Sequence, residues 1–432
     1  MPSDLSSCPV PLVTPAEQGR SERPVAACTA QAVPQEKLQA GTPAFRATTR
    51  AMFVGGFATF SLLYCTQPLM PMFSHDFHLS PAMASGAVSV STTGLALSLI
   101  PASLLADKVG RKPVMNTALV LAALLMVLAS FASSFQQFLL LRSLFGIALA
   151  GLPAVAMAYL SEEVDPMSLG RSMGLYIAGN ALGGMCGRFL ASVLADGFGW
   201  RVAILTLGLL GLAGAWEFRR CLPPSRHFKP IQLNVVQLRQ DVLSHLRDAG
   251  LPWLFLSGFL LMGCFVSLYN YLGYRLMAPP YDLRPSVLGL VFSLYVVGMW
   301  SSAWVGRLAD RFGRRNVLWV MVLLMGIGLA LTLASHLLPM MLGIALFTFG
   351  FFGGHSVASS WVGRRTLRAK ALASAFYLTA YYLGSSLLGS FSGLMWRFDG
   401  WVGVAGIIGL GLMILMLVAL RLRALTPLPL RP

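Results

Sequence analysis

The sequence predicts an all-α, polytopic membrane protein with twelve transmembrane helices arranged as two pseudo-symmetric six-helix bundles. Of the 432 residues, 56% are hydrophobic and 11% are charged, whereas about 25% of the residues of an ordinary soluble domain are charged. A short charged loop between two apolar segments occurs twice, with Asp107 in the first copy and Asp310 in the second. These aspartates are 203 residues apart, about half of the chain, which indicates two copies of one membrane-embedded unit.

Twelve apolar segments can be placed along the chain. A hydrocarbon core of about 30 Å needs about 20 apolar residues per helix. With that length the segments are 51–74, 83–106, 113–133, 136–160, 170–196, 200–218, 251–278, 286–308, 317–335, 338–360, 372–396 and 400–421. Because this number is even, both ends of the chain are expected on the same side of the membrane.

The predicted loops differ in positive charge. If the N-terminus is cytoplasmic, the inside loops and tails contain 26 of the 32 Lys and Arg residues, and this bias predicts that both termini are cytoplasmic. The domains are then a disordered cytoplasmic tail (1–49), an N-terminal six-helix bundle (50–218), a cytoplasmic linker (219–250), a C-terminal six-helix bundle (251–421) and a cytoplasmic tail (422–432).

The net charge of +16 is explained by the membrane. A soluble chain with this charge would suggest nucleic acid, but a polytopic membrane protein collects Lys and Arg in its cytoplasmic loops. We therefore expect the lipid bilayer as a partner and no nucleic acid. The six cysteines are scattered, without a C-x-x-C pair or a His at metal spacing, and no phosphate-binding G-x-x-x-x-G-K-[ST] loop is present. The sequence thus predicts no metal, no cofactor and no use of ATP.

The repeat extends beyond the charged loop. The glycine-rich run that starts at Gly179 has a looser counterpart starting at Gly384, an offset of 205 residues. Trp200, before segment six, has its counterpart in Trp401, before segment twelve, at an offset of 201. Three landmarks with nearly equal offsets favour a duplicated unit.

The charged loops resemble the signature G-x-L-a-D-[RK]-x-G-[RK]-[RK] of the major facilitator superfamily of secondary transporters. The run from Leu105 to Lys112 matches it, except that Ser103 replaces the first Gly, and the run from Gly306 to Arg315 matches fully. The run from Arg142 to Gly146 is similar to the R-x-x-x-G element of that family, which is often tied to proton transfer. In finer details the chain is most similar to the YnfM group of bacterial inner-membrane transporters.

A glycine-rich run in segment five is similar to the G-P-x-x-G-G motif of drug:proton antiporters, but Asn180 replaces the Pro. These and other small residues let helices approach closely. The predicted helix-packing glycines are Gly146, Gly174, Gly179, Gly183, Gly184, Gly187, Gly384 and Gly389.

We interpret the charged loop as a conformational latch. Asp107 lies where a helix leaves the bilayer, within reach of the positive end of a neighbouring helix dipole, and Arg111 and Lys112 can reach an acidic partner. The resemblance places such partners at the cytoplasmic ends of helices four and eleven, where Glu162 or Glu163 is available. These contacts would hold the two halves together on the cytoplasmic side; the alternative is a tight, positively charged turn. The latch candidates are Asp107, Gly110, Arg111, Lys112, Glu162, Glu163, Gly306, Asp310, Gly313 and Arg314.

Ionisable side chains inside the membrane are functional candidates, because each costs on the order of 2.5–3.5 kcal/mol to insert at the bilayer centre. All sixteen carboxylates fall in tails, loops or helix ends. Arg142 and Arg188 are expected to face a cavity, whereas Arg275 can equally extend towards the interface. His355 is either a proton carrier or a hydrogen-bonded packing residue. Further candidates for contact with substrate or protons are Tyr64, Gln67, Asn180, Asn270, Tyr274 and Tyr381.

The predicted function is secondary active transport of a small solute by alternating access, as a proton-coupled efflux or antiport system. The resemblance implies a monomer in the bacterial inner membrane, and no catalytic cluster indicates an enzyme. The lack of embedded acids favours neutral or anionic solutes, such as sugars or organic acids. The alternatives are a passive facilitator or an uptake symporter of a sugar or organic acid, and a non-transporting membrane receptor.

Overall fold

Proline, glycine and capping residues decide where the apolar segments become helices. Thr42 accepts a hydrogen bond from the backbone N–H of Phe45 at 3.2 Å, and Pro43 occupies the first turn, where no backbone N–H is needed. At the start of a later helix, Asp165 accepts from the N–H of Met167 at 3.0 Å. The starts of these two helices are therefore set by a few residues outside the apolar run.

The computed structural model describes residues 37–228, 235–366 and 368–425, all within one compact unit. The predicted tail 1–49 and the C-terminal tail 422–432 lie partly outside the described residues. Within the described part, the predicted tail is ordered from Leu38, whose N–H donates to the carbonyl of Glu163 at 2.8 Å. The first helix begins at Pro43, so the boundary at residue 49 is placed too late.

Within the described ranges, the first half of the molecule and the linker contain nine helices. They are α1 (Pro43–Tyr64), α2 (Met70–Asp76), α3 (Pro81–Ala84), α4 (Gly86–Val109), α5 (Arg111–Ala129), α6 (Phe135–Leu149), α7 (Ala156–Glu163), α8 (Pro166–Cys221) and, in the linker, α9 (Val235–Arg247). The second half repeats the pattern with α10 (Leu251–Leu276), α11 (Pro285–Val291), a 3₁₀ turn (Phe292–Leu294), α12 (Tyr295–Phe312), α13 (Arg314–Leu331), α14 (Leu337–Arg365) and α15 (Lys370–Ala424).

The twelve predicted spans are consistent with these helices. Eight described helices are long and apolar enough to cross a membrane. Two of them each contain two spans: α8 breaks at Gly199, with φ of 82°, and α15 breaks at Asp399 and Gly400. The helices α1 and α6 account for the remaining two. The breaks fall within the predicted boundaries between segments five and six and between segments eleven and twelve.

Two predicted spans are interrupted. The fourth is divided into α6 and α7 by turns that contain Gly151 and Pro153, and the first ends at Tyr64, before Pro68. Proline removes a backbone donor and clashes with the preceding turn, so a helix usually ends near it. The carbonyl groups at the end of α1 are thereby left for other partners.

The two halves pack in the same way. In the first half α1 packs along α8, and in the second half α10 packs along α15. The duplicated loops are also alike, since Gly110 and Gly313 connect their helices with φ of 107° and 83°. A residue with a side chain is strained at such angles, so the glycine of each loop is required by the turn.

Candidate functional site

The two halves are joined from about the middle of the bundle to one end. We call the end that carries Asp107 and Asp310 the charged end, and the other the opposite end. Near the opposite end, the hydroxyls of Ser74 and Tyr274 are 2.6 Å apart, and Tyr274 also donates to the carbonyl of Met70 at 3.0 Å. Tyr274, a predicted substrate contact, therefore lies in a junction between the halves.

A ladder of hydroxyl groups continues this junction between α4 and α15. Ser89 and Ser390 are 2.6 Å apart, Ser386 donates to the carbonyl of Ser89 at 2.9 Å, and Thr93 and Ser386 are also hydrogen bonded. The bond nearest to the charged end joins Thr379 to the carbonyl of Ala96 at 3.4 Å, near the middle of α4. Among the described residues, no hydrogen bond or ion pair joins the two halves closer to the charged end. This ladder was not predicted, although Ser85, Ser89 and Thr93 recur every four residues in an apolar helix.

A buried polar chain crosses the boundary between the halves near the centre. Arg188 of α8 donates from Nε to Oε1 of Gln67 at 2.6 Å, and Gln67 donates from Nε2 to Oδ1 of Asn270 of α10 at 2.7 Å. The three side chains are 1–2% exposed. The structure thus brings together three of the predicted candidates, which come from both halves.

Aromatic rings surround the guanidinium of Arg188. Its Cζ atom is 4.6 Å from the ring centre of Tyr64, 4.9 Å from that of Tyr295 and 5.5 Å from that of Phe292. A cation over an aromatic face is attracted by the ring quadrupole. Tyr295 and Phe292 were not among the predicted candidates, because in an apolar segment they cannot be told from core residues by pattern alone.

Arg142 lies elsewhere than in the expected cavity. It is fully buried, and it donates to the carbonyls of Leu62 at 3.1 Å, Leu63 at 2.7 Å and Ala87 at 3.1 Å. Its two other bonds go to Met126 Sδ at 3.0 Å and to a threonine hydroxyl. An arginine has five N–H donors, and all five are used here. Arg142 therefore holds the C-terminal end of α1, where carbonyls lack helical partners.

His355 lies in a separate aromatic group on α14 and α15. Its Nδ1 is 2.9 Å from the hydroxyl of Tyr377, and its ring centre is 4.6 Å from that of Tyr381. The side chain is half-buried. Both predicted roles, proton carrier and packing residue, agree with this position.

In the first charged loop, the structure brings Asp107, Arg111 and Glu162 together. Arg111 Nη1 is 2.5 Å from Asp107 Oδ1, and its Nη2 is 2.8 Å from Glu162 Oε1. These residues all belong to the first half. Glu162 is one of the two carboxylates expected to pair with Arg111, but in this conformation the contact lies within the first half and does not join the two halves.

Lys112 and Glu163 contact the linker instead of each other or the second half. Lys112 donates to the carbonyl of Leu222. Glu163 accepts from the backbone N–H of His227 at 2.9 Å, and its other oxygen is 3.0 Å from His227 Nδ1. The linker is thereby attached to the first half at the charged end.

The second charged loop pairs in a different way. Asp310 is 2.9 Å from Arg314 and 3.2 Å from Arg364, so one carboxylate serves two guanidinium groups within the second half. Gly306 has only the Ser356 hydroxyl within 4 Å of the position of a Cβ, at 3.8 Å. The duplicated loops therefore share a backbone form but not a charge pattern.

Five of the predicted packing glycines lie so close to a neighbouring helix that a side chain would not fit. A Cβ at Gly179 or Gly183 would lie 2.4 Å or 2.1 Å from the carbonyls of Phe53 and Phe57 on α1. A Cβ atom would also be too close to Ser61 if placed at Gly187, to Ser91 if placed at Gly146 and to Phe259 if placed at Gly384. Gly184 and Gly389 instead lie beside the side chains of Arg188 and Asn270, both at 3.2 Å.

Gly174 and two further candidates lie outside the central group. Gly174 is exposed, with nothing within 4 Å of its Cβ position, so its prediction as a packing glycine is wrong. Arg275 donates to the carbonyl of Ala334 at 2.9 Å and lies 5.2 Å from the ring of Trp401. Asn180 lies against Gly56, at the interface of α8 with α1.

An ion pair that the sequence did not indicate fixes the start of α10. Asp248 is 2.5 Å from Arg365 Nε and accepts from the N–H groups of Gly250 and Leu251 at 2.8 and 2.7 Å. Partial burial raises the pKa of Asp248, but the bonds from Arg365 and the two N–H groups outweigh burial and hold it below the usual value. Asp248 lies in the linker, outside the spanning helices.

No group of three or more His, Cys, Asp or Glu side chains in the described ranges could hold a metal ion. The arrangement is instead suited to binding and conformational change. The polar group of Arg188, Gln67 and Asn270 is shared by both halves. The hydrogen bonds that join the halves lie between the middle of the bundle and the opposite end.

Comparisons with known proteins agree with this architecture. The family model of the Major Facilitator Superfamily matches residues 52–276 and 274–432. The chain is 47% identical over 389 residues to the inner membrane transport protein YnfM of Escherichia coli, covering 90% of this chain and 93% of that protein. It is 47% identical over 371 residues to the uncharacterized MFS-type transporter YybF of Bacillus subtilis, covering 86% and 92%.

A solved structure shows the same fold. It is a bacterial homologue of the human lysosomal transporter Spinster, in an inward-facing and unoccupied conformation. The TM-score is 0.67 at 16% identity, and the match covers 88% of this chain and 95% of that chain.

Proposed function

Because the chain belongs to the major facilitator superfamily, we propose that it is a secondary active transporter of a small solute. It works by alternating access in the bacterial inner membrane, as a proton-coupled efflux or antiport system. The observation that supports this best is the one-sided junction between the halves. Hydrogen bonds join them from the middle to the opposite end, through pairs such as Ser89 and Ser390 and Ser74 and Tyr274.

The junction has the chemistry of a reversible seal. A neutral hydrogen bond contributes only about 0.5–1.5 kcal/mol net, because the same groups can bond to water. Hydroxyl pairs can therefore open at small cost when water enters. A seal made of buried ion pairs would be harder to exchange between two states, because separating a buried pair leaves uncompensated charges.

The charge bias gives the orientation. The charged end holds most of the basic residues, so we place it and both termini in the cytoplasm. The closed opposite end is then periplasmic, and the described conformation is open towards the cytoplasm. In the reverse conformation the latch residues Asp107 and Arg111 would face the second half, which is the step at which the predicted latch acts.

The coupling ion of this proposal is the proton. In the described ranges, every Asp and Glu lies in a loop or within about two turns of a helix end or break, so a carboxylate at the membrane middle has no candidate there. His355, hydrogen bonded to Tyr377, is a histidine inside a helix of the second half and is the candidate proton carrier of this proposal. Transfer of its proton to water would be tied to the position of α14 and α15.

A solute screen in everted membrane vesicles tests this proposal. Vesicles with wild-type protein or with Asp107→Asn receive labelled sugars and organic acids, with and without an acidic interior. We expect at least one solute to accumulate only with the wild-type protein and the pH gradient, and to be released by an uncoupler. Movement that the uncoupler leaves unchanged would indicate a facilitator. Equal accumulation with both proteins would contradict the role of Asp107 as a latch residue, and no accumulation of any solute with the wild-type protein would contradict transport of these solutes.

A further inference from the structure

We propose that Arg188 anchors the substrate and that the substrate is a small organic anion, whose acidic group pairs with this guanidinium. The proposal rests on the transport function above and names its substrate class. It is carried by the unused donors of Arg188, by buried hydroxyls without partners and by the position of the group between the two halves.

The two buried arginines of the first half differ in how their donors are used. Arg142 uses all five N–H donors on protein atoms, three of the bonds being to main-chain carbonyls. Arg188 makes two hydrogen bonds to described residues, from Nε to Gln67 and from Nη1 to the carbonyl of Gly184 at 2.6 Å. Three of its five donors are therefore left for another partner. Arg142 is complete as a structural residue, whereas Arg188 is not.

Polar groups without partners lie beside Arg188. The Tyr295 hydroxyl is buried and has no hydrogen-bond partner in the described part of the chain. The hydroxyls of Tyr64 and Ser385 lie side by side and also lack a partner of normal hydrogen-bond geometry. Buried polar groups are nearly always satisfied in folded proteins. The acceptor oxygens of a ligand could accept hydrogen bonds from these three hydroxyls and from the free N–H groups of Arg188.

The charge of Arg188 favours an anion over a neutral or cationic solute. The described ion pairs lie at the ends of the helices, and none includes Arg188. A buried charge without a counter-charge is costly in a membrane. A carboxylate supplies that counter-charge and can accept two parallel hydrogen bonds from a guanidinium, as a bidentate pair. The rings of Tyr64, Phe292 and Tyr295 offer apolar surface for the rest of the solute.

The site is placed so that the solute would contact both halves. Arg188 and Gln67 belong to the first half, whereas Asn270, Phe292 and Tyr295 belong to the second. A bound anion would replace or extend the bond between Arg188 and Gln67, which is linked to Asn270. Binding would thereby change the balance between conformations, because a ligand shifts an equilibrium by its differential affinity.

Binding of matched solutes to the purified protein in detergent tests the proposal. The probes are benzoate, cyclohexanecarboxylate and hexanoate, each beside its neutral amide and the amine of the same carbon skeleton. The readouts are the thermal midpoint and the dissociation constant from calorimetry. We expect at least one carboxylate to bind more tightly than its amide, and its amine not to bind. Arg188→Gln should weaken that carboxylate at least about tenfold, and Arg188→Lys should weaken it less.

Two further variants separate binding from folding. Arg275→Gln is the matched control, since Arg275 also meets a main-chain carbonyl and an aromatic ring but lies away from the site; it should leave the affinity unchanged. Tyr295→Phe removes a hydroxyl without a partner, so it should leave the stability of the empty protein unchanged and weaken the carboxylate. It also decides the matter if Arg188→Gln does not fold.

Three results would overturn the proposal. They are a neutral amide or an amine that binds at least as well as its carboxylate, no carboxylate in the panel that exceeds its amide, and carboxylate binding that Arg188→Gln and Tyr295→Phe leave unchanged. Each would leave the transport function to be decided separately by the vesicle assay, where a sugar can still be moved.

Discussion

Replacing Gly183 by alanine tests whether the stripe of glycines on α8 sets the distance to α1. A Cβ at this position would lie 2.1 Å from the carbonyl oxygen of Phe57, and Cβ atoms essentially never approach other atoms closer than 3.0 Å. The obstacle is main chain, which cannot rotate away as a side chain can. The helices would have to separate by about 1 Å, and the contacts at Gly179 and Gly187 would loosen with them.

The size of the effect follows from two opposing contributions. Overpacking of a close interface costs about 1–3 kcal/mol, whereas alanine in place of glycine stabilises a helix by about 1 kcal/mol. Gly174→Ala, in the same helix, should gain the helix propensity of alanine without the cost of overpacking, because nothing lies within 4 Å of its Cβ position. The difference in the free energy of unfolding between the two variants should therefore be about 1–3 kcal/mol, with Gly183→Ala the less stable.

Thermal unfolding in detergent can be followed through the protein's own thiols. Cys65 and Cys264 are buried and react with a thiol-specific fluorophore when the helices separate. We expect the midpoint of Gly174→Ala at or above that of the wild type and the midpoint of Gly183→Ala below both. Equal midpoints for the two variants would refute the argument that this glycine holds the helices at their observed distance.

The remaining predictions concern three separate groups. Arg142→Lys should lower the free energy of unfolding by about 1–3 kcal/mol in the same assay, because one ammonium group cannot donate to all the carbonyls that Arg142 reaches, such as that of Leu63. An unchanged midpoint would contradict this. Arg365 lowers the pKa of Asp248 in the folded state. The ionised carboxylate therefore stabilises the fold at any pH above the ordinary pKa of an aspartate, and this stabilisation is lost as the pH falls through the lowered pKa. The difference in stability between wild type and Asp248→Asn should therefore be largest at neutral pH and shrink in acid, and a difference independent of pH would be inconsistent with it. His355→Gln should flatten the pH dependence of transport in vesicles, and an unaltered pH profile would remove His355 from the mechanism.

The architecture could be predicted from the sequence because it depends on features that are local or repeated. The apolar segments, the charged loops around Asp107 and Asp310 and the breaks near Gly199 and Gly400 are all readable in a single chain. The break within the fourth span was missed, since the largely apolar run over 136–160 hides the effect of Pro153. Hydropathy alone does not show where a helix ends inside the membrane.

The partners of the buried polar groups could not be predicted in the same way. Arg142 and Arg188 have similar positions in apolar segments, yet one meets carbonyls at the end of α1 and the other meets Gln67. That difference depends on which helix ends nearby in space, which is a tertiary property. The conformation could not be predicted either, because the sequence does not show whether Asp107 and Arg111 pair within one half, as observed, or across the two halves.

The two charged loops show how duplication can produce complementarity instead of symmetry. In the first half one guanidinium, that of Arg111, is shared by the two carboxylates Asp107 and Glu162, so these three side chains carry a net negative charge beside Lys108 and Lys112 of the same loop. In the second half the single carboxylate of Asp310 is shared by two arginines, which gives a net positive group. If the charged end closes during the cycle, these groups approach and attract each other. Asp310 is 58% exposed, so such a contact is worth only about 0–1 kcal/mol. An attraction of that size can favour closure without trapping the protein in one state, which a transporter that must return in every cycle requires.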